Sequence, residues 1–267
     1  EMPDALPLLE GDPAPSPYHI EFDHISFSYN RVEDNLHDIS FRLKPGDTLG
    51  IIGATGSGKT TLANLLLGLY RADEGRVLVD GQDIRAMNPE MLAAQTGVAF
   101  QSDFIMAATI RDNIAYFREM GDEQVWQAAR AAQAEEFIRA TDKGLLHEVE
   151  SRGNNLSGGQ KQRLLIARAL AGNPRLLILD DASSALDYRT DAALRKALAE
   201  SHRGTTAVII AQRVSSIKSA DHILVLEDGR AIGQGTHEQL MRDCPTYRDI
   251  ATVQMYAEGA LKEEVAP

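Results

Sequence analysis

The sequence contains a single cysteine, and its basic residues are outnumbered by its acidic ones. One thiol, Cys244, cannot form an internal disulfide, which fits a reducing compartment. Cys244 lies in the polar segment MRDCPTYRD, and we do not expect it to be catalytic. The 27 lysine and arginine residues against 39 aspartate and glutamate residues give a net charge of −12. A nucleic-acid surface needs a basic stripe, so this balance argues against nucleic acid as a partner.

Long apolar runs are also missing. No run approaches the 18 residues that a membrane-spanning helix needs, and the acidic, proline-rich start does not resemble a signal peptide. Residues 1–17 hold five of the ten prolines, four acids and no lysine or arginine, which predicts an extended linker. The rest of the 267-residue chain is apolar enough, at 43% overall, to form a normal core.

From residue 18 onward, segments typical of strands alternate with segments typical of helices. Residues 109–171 look mostly helical, and GTHEQLMRD begins a capped helix. This alternation indicates an α/β domain with a mainly parallel sheet. The predicted strands are HIEFDHISFSY, LHDISFRL (36–43), TLGII (48–52), RVLVDG (76–81), VAF (98–100), AVIIA (207–211) and HILVLE (222–227).

Residues 53–60, GATGSGKT, match the phosphate-binding pattern G-x-x-x-x-G-K-[ST] between a predicted strand and a predicted helix. Glycines let the backbone N–H groups surround one anion, Lys59 adds a point charge, and the Thr60 hydroxyl suits Mg²⁺. A glycine-rich turn with an exposed lysine is the alternative. The pattern predicts a nucleoside-triphosphate site formed by Gly53, Ala54, Thr55, Gly56, Ser57, Gly58, Lys59, Thr60 and Thr61.

Two adjacent acids follow the apolar run Leu176–Leu179. Desolvated carboxylates need a counter-ion, and in P-loop proteins an Asp at the end of a buried strand holds the Mg²⁺. We therefore place Asp180 beside the metal, with a helix cap or a surface acid as the alternative. Asp181 is then near the γ-phosphate, where a base orients the attacking water.

Residues 156–160, LSGGQ, begin a helix whose first residues Ser157 and Gln160 form a capping box. An ordinary capped helix is one interpretation. LSGGQ before a Walker-type strand, however, resembles the signature of ATP-binding-cassette (ABC) ATPases, and the resemblance covers about residues 18–250. It implies a P-loop NTPase (RecA-like) core with a mainly parallel sheet, an antiparallel β subdomain and an α-helical subdomain.

The resemblance also implies roles for individual residues. Gln101 resembles the Q-loop glutamine that contacts Mg²⁺, and Tyr29 lies where the family stacks an aromatic ring on adenine. For Tyr29, an ordinary strand tyrosine is the alternative. Two such domains dimerise head to tail, so that the signature acts on the partner's ATP. The signature is Leu156, Ser157, Gly158, Gly159 and Gln160, and the D-loop is Ser184, Ala185, Leu186 and Asp187.

The segments HEVESRGNN (147–155) and TIRDNIAYF (109–117) resemble those of exporters, although a solvated charged turn also explains the first. We therefore expect a domain at residues 18–255 with a helical subdomain at about 102–170 and a flexible tail at 256–267. A transmembrane domain is expected before residue 1, which puts this soluble domain at the cytoplasmic face of the cell membrane. The alternatives are an importer ATPase, a soluble ABC protein of translation or DNA repair, and a nucleotide-sensing module.

Two positions depart from the family's pattern. Fully active members carry Glu after the Walker B Asp and His in the switch loop, whereas this chain has Asp181 and Gln212. The shorter Asp draws its carboxylate back by about 1.5 Å, and a misplacement of about 1 Å costs on the order of 10²-fold in rate. Glutamine does not take up a proton as imidazole does. With Lys59, Gln101, Asp181 and Gln212 as catalytic candidates, we expect slow hydrolysis and a heterodimer with a second ABC half-transporter. A homodimer with weak but sufficient chemistry is the alternative.

Overall fold

The computed structural model describes the backbone of residues 16–101, 103–202 and 204–264, with side chains as far as residue 256. Most of the expected linker, residues 1–15, therefore lies outside the described residues. Within them the chain forms strands β1 (Ile20–Phe27), β2 (Leu36–Leu43), β3 (Thr48–Gly53), β4 (Glu74–Val79), β5 (Gln82–Asp83), β6 (Thr96–Phe100), β7 (Leu176–Asp180), β8 (Thr206–Ile210), β9 (His222–Glu227) and β10 (Arg230–Gly235).

Helices connect these strands and fill the middle of the chain. Short 3₁₀ turns occur at Ile84–Ala86, Gly144–Leu146, Ser151–Gly153 and Val214–Ser216. The α-helices are α1 (Lys59–Leu66), α2 (Pro89–Gln95), α3 (Ile110–Ala115), α4 (Asp122–Ala131), α5 (Glu135–Arg139), α6 (Gly158–Leu170), α7 (Tyr188–Ser201), α8 (His237–Asp243) and α9 (Pro245–Glu264).

Two sheets organise the chain. The larger sheet has the order β10-β9-β3-β8-β7-β6, with parallel pairing throughout except between β9 and β10. The smaller sheet has the order β2-β1-β4-β5 and is antiparallel. A mainly parallel sheet with an antiparallel sheet and a set of helices confirms the predicted fold class.

Strand β7 separates two of the apolar cores. Leu177 and Leu179 pack in a core built mainly from helices α3 to α6. Leu176 and Ile178 pack on the other side, with α1 and the smaller sheet. Every residue of β7 is buried, as the apolar run predicts for a strand covered on both faces.

The carboxyl-terminal part of the chain differs from the sequence-based expectation. Strand β10 was not predicted, because its RAIGQG sequence contains two glycines and is mostly exposed. The segment from residue 256, which the sequence predicts to be a flexible tail, continues as α9 to Glu264, and its flexibility stays a prediction. A third apolar core, which includes Cys244 and Tyr247, joins α8 and α9 to the larger sheet.

Candidate nucleotide site

The candidate site lies at the carboxyl edge of the larger sheet, where four strands end side by side. In the parallel register, Phe100 pairs with Asp180, and Ile210 pairs with both Asp180 and Ile51. The chain leaves these strands through different loops, yet the register brings the loop starts together. This edge therefore collects residues 53–60, Gln101, Asp181 and Gln212 from distant parts of the sequence.

The loop between β3 and α1 requires glycine at two positions. Gly58 precedes α1 with a φ of 98°, and a Cβ there would lie 2.6 Å from a Leu36 methyl carbon. A Cβ on Gly53 would lie 2.1 Å from the Leu226 carbonyl oxygen. These two positions thus leave no room for a side chain, and the loop leads into the N-terminus of α1, where unpaired N–H groups favour an anion.

The Lys59 side chain folds back over this loop. Its ammonium donates to the carbonyl oxygens of Gly53 at 2.9 Å and Ala54 at 2.7 Å. Burial lowers the pKa of Lys59, although Asp181 and Asp180 oppose this effect. Phosphate oxygens that approached the loop would be stronger acceptors for this ammonium than the carbonyl groups.

Thr60 and Asp180 lie in direct contact, although 120 positions separate them. The Thr60 hydroxyl donates to Asp180 Oδ2 at 2.8 Å. Burial raises the pKa of Asp180, and the nearby Asp181 charge raises it further, against the opposing effects of Thr60 and Lys59. An ionised carboxylate here is thus costly without a nearby cation.

This pair fits Mg²⁺ in its donor chemistry. Hydroxyl and carboxylate oxygens are hard ligands of the type that Mg²⁺ takes, usually together with phosphate oxygens and water. In the part of the chain that the structure describes, no group of three or more His, Cys, Asp or Glu residues could hold a metal by itself. Thr60 and Asp180 therefore suit an ion that arrives with a nucleotide.

The two residues that depart from the family's pattern contact each other. The Gln212 side-chain amide donates to Asp181 Oδ2 at 2.5 Å. The Asp181 N–H donates to the Ile210 carbonyl at 2.9 Å, and its φ of 53° is a left-handed value that Asp tolerates better than most residues. The backbone of Asp181 is thus tied to the end of β8, and only the short side chain sets how far its carboxylate reaches.

Gln101 and Tyr29, the two remaining candidates of the sequence analysis, are both exposed. The Gln101 side chain is exposed directly after β6, and it lines a cavity of about 670 Å³ together with Gly158 and Ser184. The Tyr29 ring is 48% exposed and stands nearly perpendicular to the ring of Tyr70, with centroids 5.0 Å apart. Its position beside α1 suits stacking on a base, while the contact of Gln101 with Mg²⁺ stays a prediction.

The signature segment forms the predicted capped start of α6. The Gln160 N–H donates to the Ser157 hydroxyl at 3.3 Å, and the Ser157 N–H donates to the Gln160 side chain at 2.8 Å. Ser157 and Gly158 are exposed, whereas Leu156 is buried. The glycine N–H groups at this helix start have no intrahelical acceptor, so an anion could bind there.

The D-loop is held by two residues that the sequence analysis missed. The Gln162 side chain donates to the Ser184 hydroxyl at 2.9 Å and accepts from the Ala185 N–H at 2.7 Å. The Arg213 guanidinium donates to the carbonyls of Ser184 at 2.7 Å and Leu186 at 3.0 Å. Gln162 lies two residues after the signature and Arg213 directly follows Gln212, but no spacing rule indicates these contacts. Asp187 ends the loop and caps α7 by accepting from the Thr190 N–H.

The two segments that resemble exporter sequences also meet in the structure. Thr109 pairs with Glu148 in an isolated antiparallel bridge, and the Val149 N–H donates to the Ala108 carbonyl at 2.9 Å. The side-chain amide of Asn155 closes the turn by donating to the Glu148 carbonyl and accepting from the Glu150 N–H. An ordered turn therefore lies beside the start of α3.

A model of the family described as ABC transporter matches residues 36–184, more than half of the chain. The chain belongs to the ABC transporter family. A fatty acid ABC transporter ATP-binding/permease protein of Mycobacterium bovis is 39% identical over 245 residues, which are 89% of this chain and 39% of that protein. A putative multidrug export ATP-binding/permease protein of Bacillus subtilis is 40% identical over 237 residues, 88% of this chain and 41% of that protein.

A solved structure agrees with these relatives. A bacterial Atm1-family ABC exporter with ATP bound superposes with a TM-score of 0.85 at 39% identity, over 88% of this chain and 42% of that chain. The chain thus spans about two fifths of the proteins it matches. The predicted ABC ATP-binding domain and its ATPase class are confirmed, whereas the subdomain boundaries and the roles of single residues stay predictions.

Proposed function

We propose that this ABC domain is the ATP-dependent motor of an exporter and acts on a transmembrane domain that is not part of these 267 residues. Relatives with export in their names carry permease parts as well as a matching ATP-binding part, which supports this proposal. The ordered turn at Glu148, beside the start of α3, is a surface on which such a domain could act. In the described part of the chain, no helix has the length and apolar character to cross a bilayer.

We further propose that this chain's own site binds ATP with Mg²⁺ and hydrolyses it slowly. The carrying observation is the contact between Asp181 and Gln212. In this contact, one oxygen of the candidate base Asp181 accepts a hydrogen bond from an amide that cannot take up a proton. The backbone of Asp181 is also hydrogen-bonded to the end of β8. Binding needs neither group, because the loop 53–60, Lys59 and Thr60 supply the phosphate contacts.

In this mechanism, each residue acts on a separate part of the nucleotide. Tyr29 stacks on the base, and the N–H groups of residues 53–60 together with Lys59 neutralise the phosphates. Thr60 and Asp180 hold the Mg²⁺, which supplies charge neutralisation on the phosphates. The Asp181 side chain is short and already hydrogen-bonded to Gln212, so it activates water inefficiently and ATP remains bound.

The intact signature then has a different task from the weak site. Ser157 and Gly158 are exposed at a helix start and available to the γ-phosphate of a nucleotide held by a second domain. A weak own site with a sound signature suits one half of a heterodimer. The partner half would supply the Glu and His, and this chain's Ser157 would complete the partner's site.

The test uses the full transporter, reconstituted with its partner half in lipid vesicles. Under the proposal, Asp181→Ala barely changes the ATPase rate, whereas Ser157→Ala reduces it strongly. Asp243→Ala, in an exposed residue far from the site in sequence, is the matched control. Equal losses from Asp181→Ala and Ser157→Ala would show two equivalent sites and would support the competent homodimer instead.

A further inference from the structure

The loop that carries Gln212 is held from outside the nucleotide site by helix α9. The side-chain amide of Gln254 donates to the Gln212 carbonyl at 2.8 Å. Its oxygen accepts from the Val214 N–H at 2.7 Å. Because a carbonyl can only accept and an N–H can only donate, the geometry fixes the orientation of the amide. One glutamine thus bridges the backbone on both sides of Arg213.

The side chains of Gln212 and Arg213 each contact another part of the chain. The Gln212 side chain reaches Asp181 in the chain's own site. The Arg213 side chain reaches the carbonyls of Ser184 and Leu186 in the D-loop. The segment 212–214 therefore connects α9 with both the own site and the D-loop.

We infer that Gln254 is a positioning residue for the ATP site, which acts by fixing the backbone of residues 212–214. The role of Gln212 at this site rests on the proposed function, whereas the contacts of Arg213 with the D-loop are observed in the structure. Apolar packing also touches this loop, because Ala211 and Val214 belong to the same core as Tyr247 and Ala251 of α9. Packing alone, however, does not fix the direction of the carbonyl and the N–H that Gln254 binds.

Loss of the Gln254 side chain is expected to weaken the contact of Gln212 with Asp181 and the contacts of Arg213 with the D-loop. A net hydrogen bond of about 1 kcal/mol corresponds to about fivefold in a local opening equilibrium. Two lost bonds therefore predict roughly 25-fold faster amide exchange at Val214. The D-loop amides of Ala185 and Leu186, both hydrogen-bonded in the structure, report whether the effect passes through Arg213.

The experiment is residue-resolved hydrogen–deuterium exchange on the full chain without nucleotide. Gln254→Ala should speed exchange at Val214, Ala185 and Leu186. Met255→Ala is the matched control, because the next residue of α9 is 63% exposed. Faster exchange at Val214 alone would overturn the positioning role. No change at Val214 would mean that Gln254 does not hold the backbone of residues 212–214.

A second variant keeps the test sharp if Gln254→Ala unfolds the chain. Gln254→Glu retains the acceptor for Val214 and loses the donor to the Gln212 carbonyl. Val214 should then stay protected, while the D-loop amides exchange faster than in the unmodified chain. Unchanged D-loop amides in this variant would also overturn the inference. Since no nucleotide or partner enters the measurement, its result is independent of whether the slow-site proposal holds.

Discussion

Restoring the two residues that depart from the family's pattern should turn the slow site into a faster one. The change is Asp181→Glu together with Gln212→His in the full chain. In the structure the Asp181 backbone is tied to Ile210, and its carboxylate is bonded to Gln212. The backbone therefore has little freedom to compensate for the short side chain. The added methylene moves the carboxylate toward the nucleotide while the histidine replaces the amide that now engages it.

The expected rise in the hydrolysis rate follows from how much shorter the Asp181 side chain is than that of Glu. One C–C bond is about 1.5 Å, and a misplacement of about 1 Å costs on the order of 10²-fold in rate. A histidine that can take up a proton contributes a further factor of about 10²–10⁴ when it acts as an acid or base. The two effects do not add when the groups act as a unit, so we expect a rise of at least about 10²-fold.

The assay is phosphate release by the purified chain over a series of protein concentrations. Two copies of the doubly changed chain would form two sites, each with a restored base and an intact signature. The rate should thus rise more steeply than in proportion to protein concentration. Lys59→Ala gives the contaminant background, and Asp181→Asn is the matched control, which should leave the slow rate unchanged.

Two results would refute the reasoning about Asp181. The first is that the unmodified chain turns over at the rate of ordinary enzymes, about 1 s⁻¹ or more, and loses that rate in Asp181→Asn. The second is that the doubly changed chain dimerises with ATP, as light scattering would show, and yet remains as slow as the original. Either outcome means that side-chain reach does not limit this site.

Three further predictions concern stability and binding. Asp180→Asn should raise the free energy of unfolding by about 0.5–2 kcal/mol, because it removes a buried carboxylate. The same change should abolish Mg²⁺-dependent ATP binding, which requires that carboxylate. Since burial raises the Asp180 pKa, that gain in thermal stability should shrink as the pH falls through the raised pKa. Tyr29→Ala should weaken ATP binding by about 1–3 kcal/mol in calorimetry, whereas Tyr29→Phe should not, since the hydroxyl contacts are long at 3.4 Å. Arg168→Met should cost about 2–4 kcal/mol in urea unfolding, because it leaves the buried Asn113 carbonyl and the partly buried Phe104 carbonyl without the guanidinium donor.

Each of these has a result that would contradict it. A lower melting temperature for Asp180→Asn would mean that the carboxylate stabilises the chain without metal. Equal losses for both Tyr29 variants would assign the binding to the hydroxyl rather than to the ring. A cost near zero for Arg168→Met would mean that the two carbonyls do not depend on the guanidinium.

The sequence predicted those parts of the fold in which local pattern and burial agree. Strands β2 and β9 have the predicted bounds, since unbroken or alternating apolar residues meet clear turn signals at each end. Strand β10 escaped notice because its glycines and exposed positions leave no pattern. Helix α2 was also not predicted, although Asn88 and the following proline are a start signal of the usual kind.

For the site, the sequence indicated which residues matter but not which of them touch. The contact between Thr60 and Asp180 depends on the order of the strands, because β3 and β7 are separated in the sheet by β8. The contact between Asp181 and Gln212 depends on the register of β7 with β8. Gln254 gave no signal, because a single polar residue in a helix usually faces solvent. Long-range pairing is set by tertiary packing, which no local pattern encodes.

The double-sided burial of β7 has a consequence for how the chain unfolds. Leu177 and Leu179 line the core of the helices, and Leu176 and Ile178 line the core shared with the smaller sheet. Detachment of β7 from the sheet would expose both cores to water, so the two cores unfold as one cooperative unit. Calorimetry should therefore record a single transition for both layers, with a calorimetric enthalpy equal to the van't Hoff value.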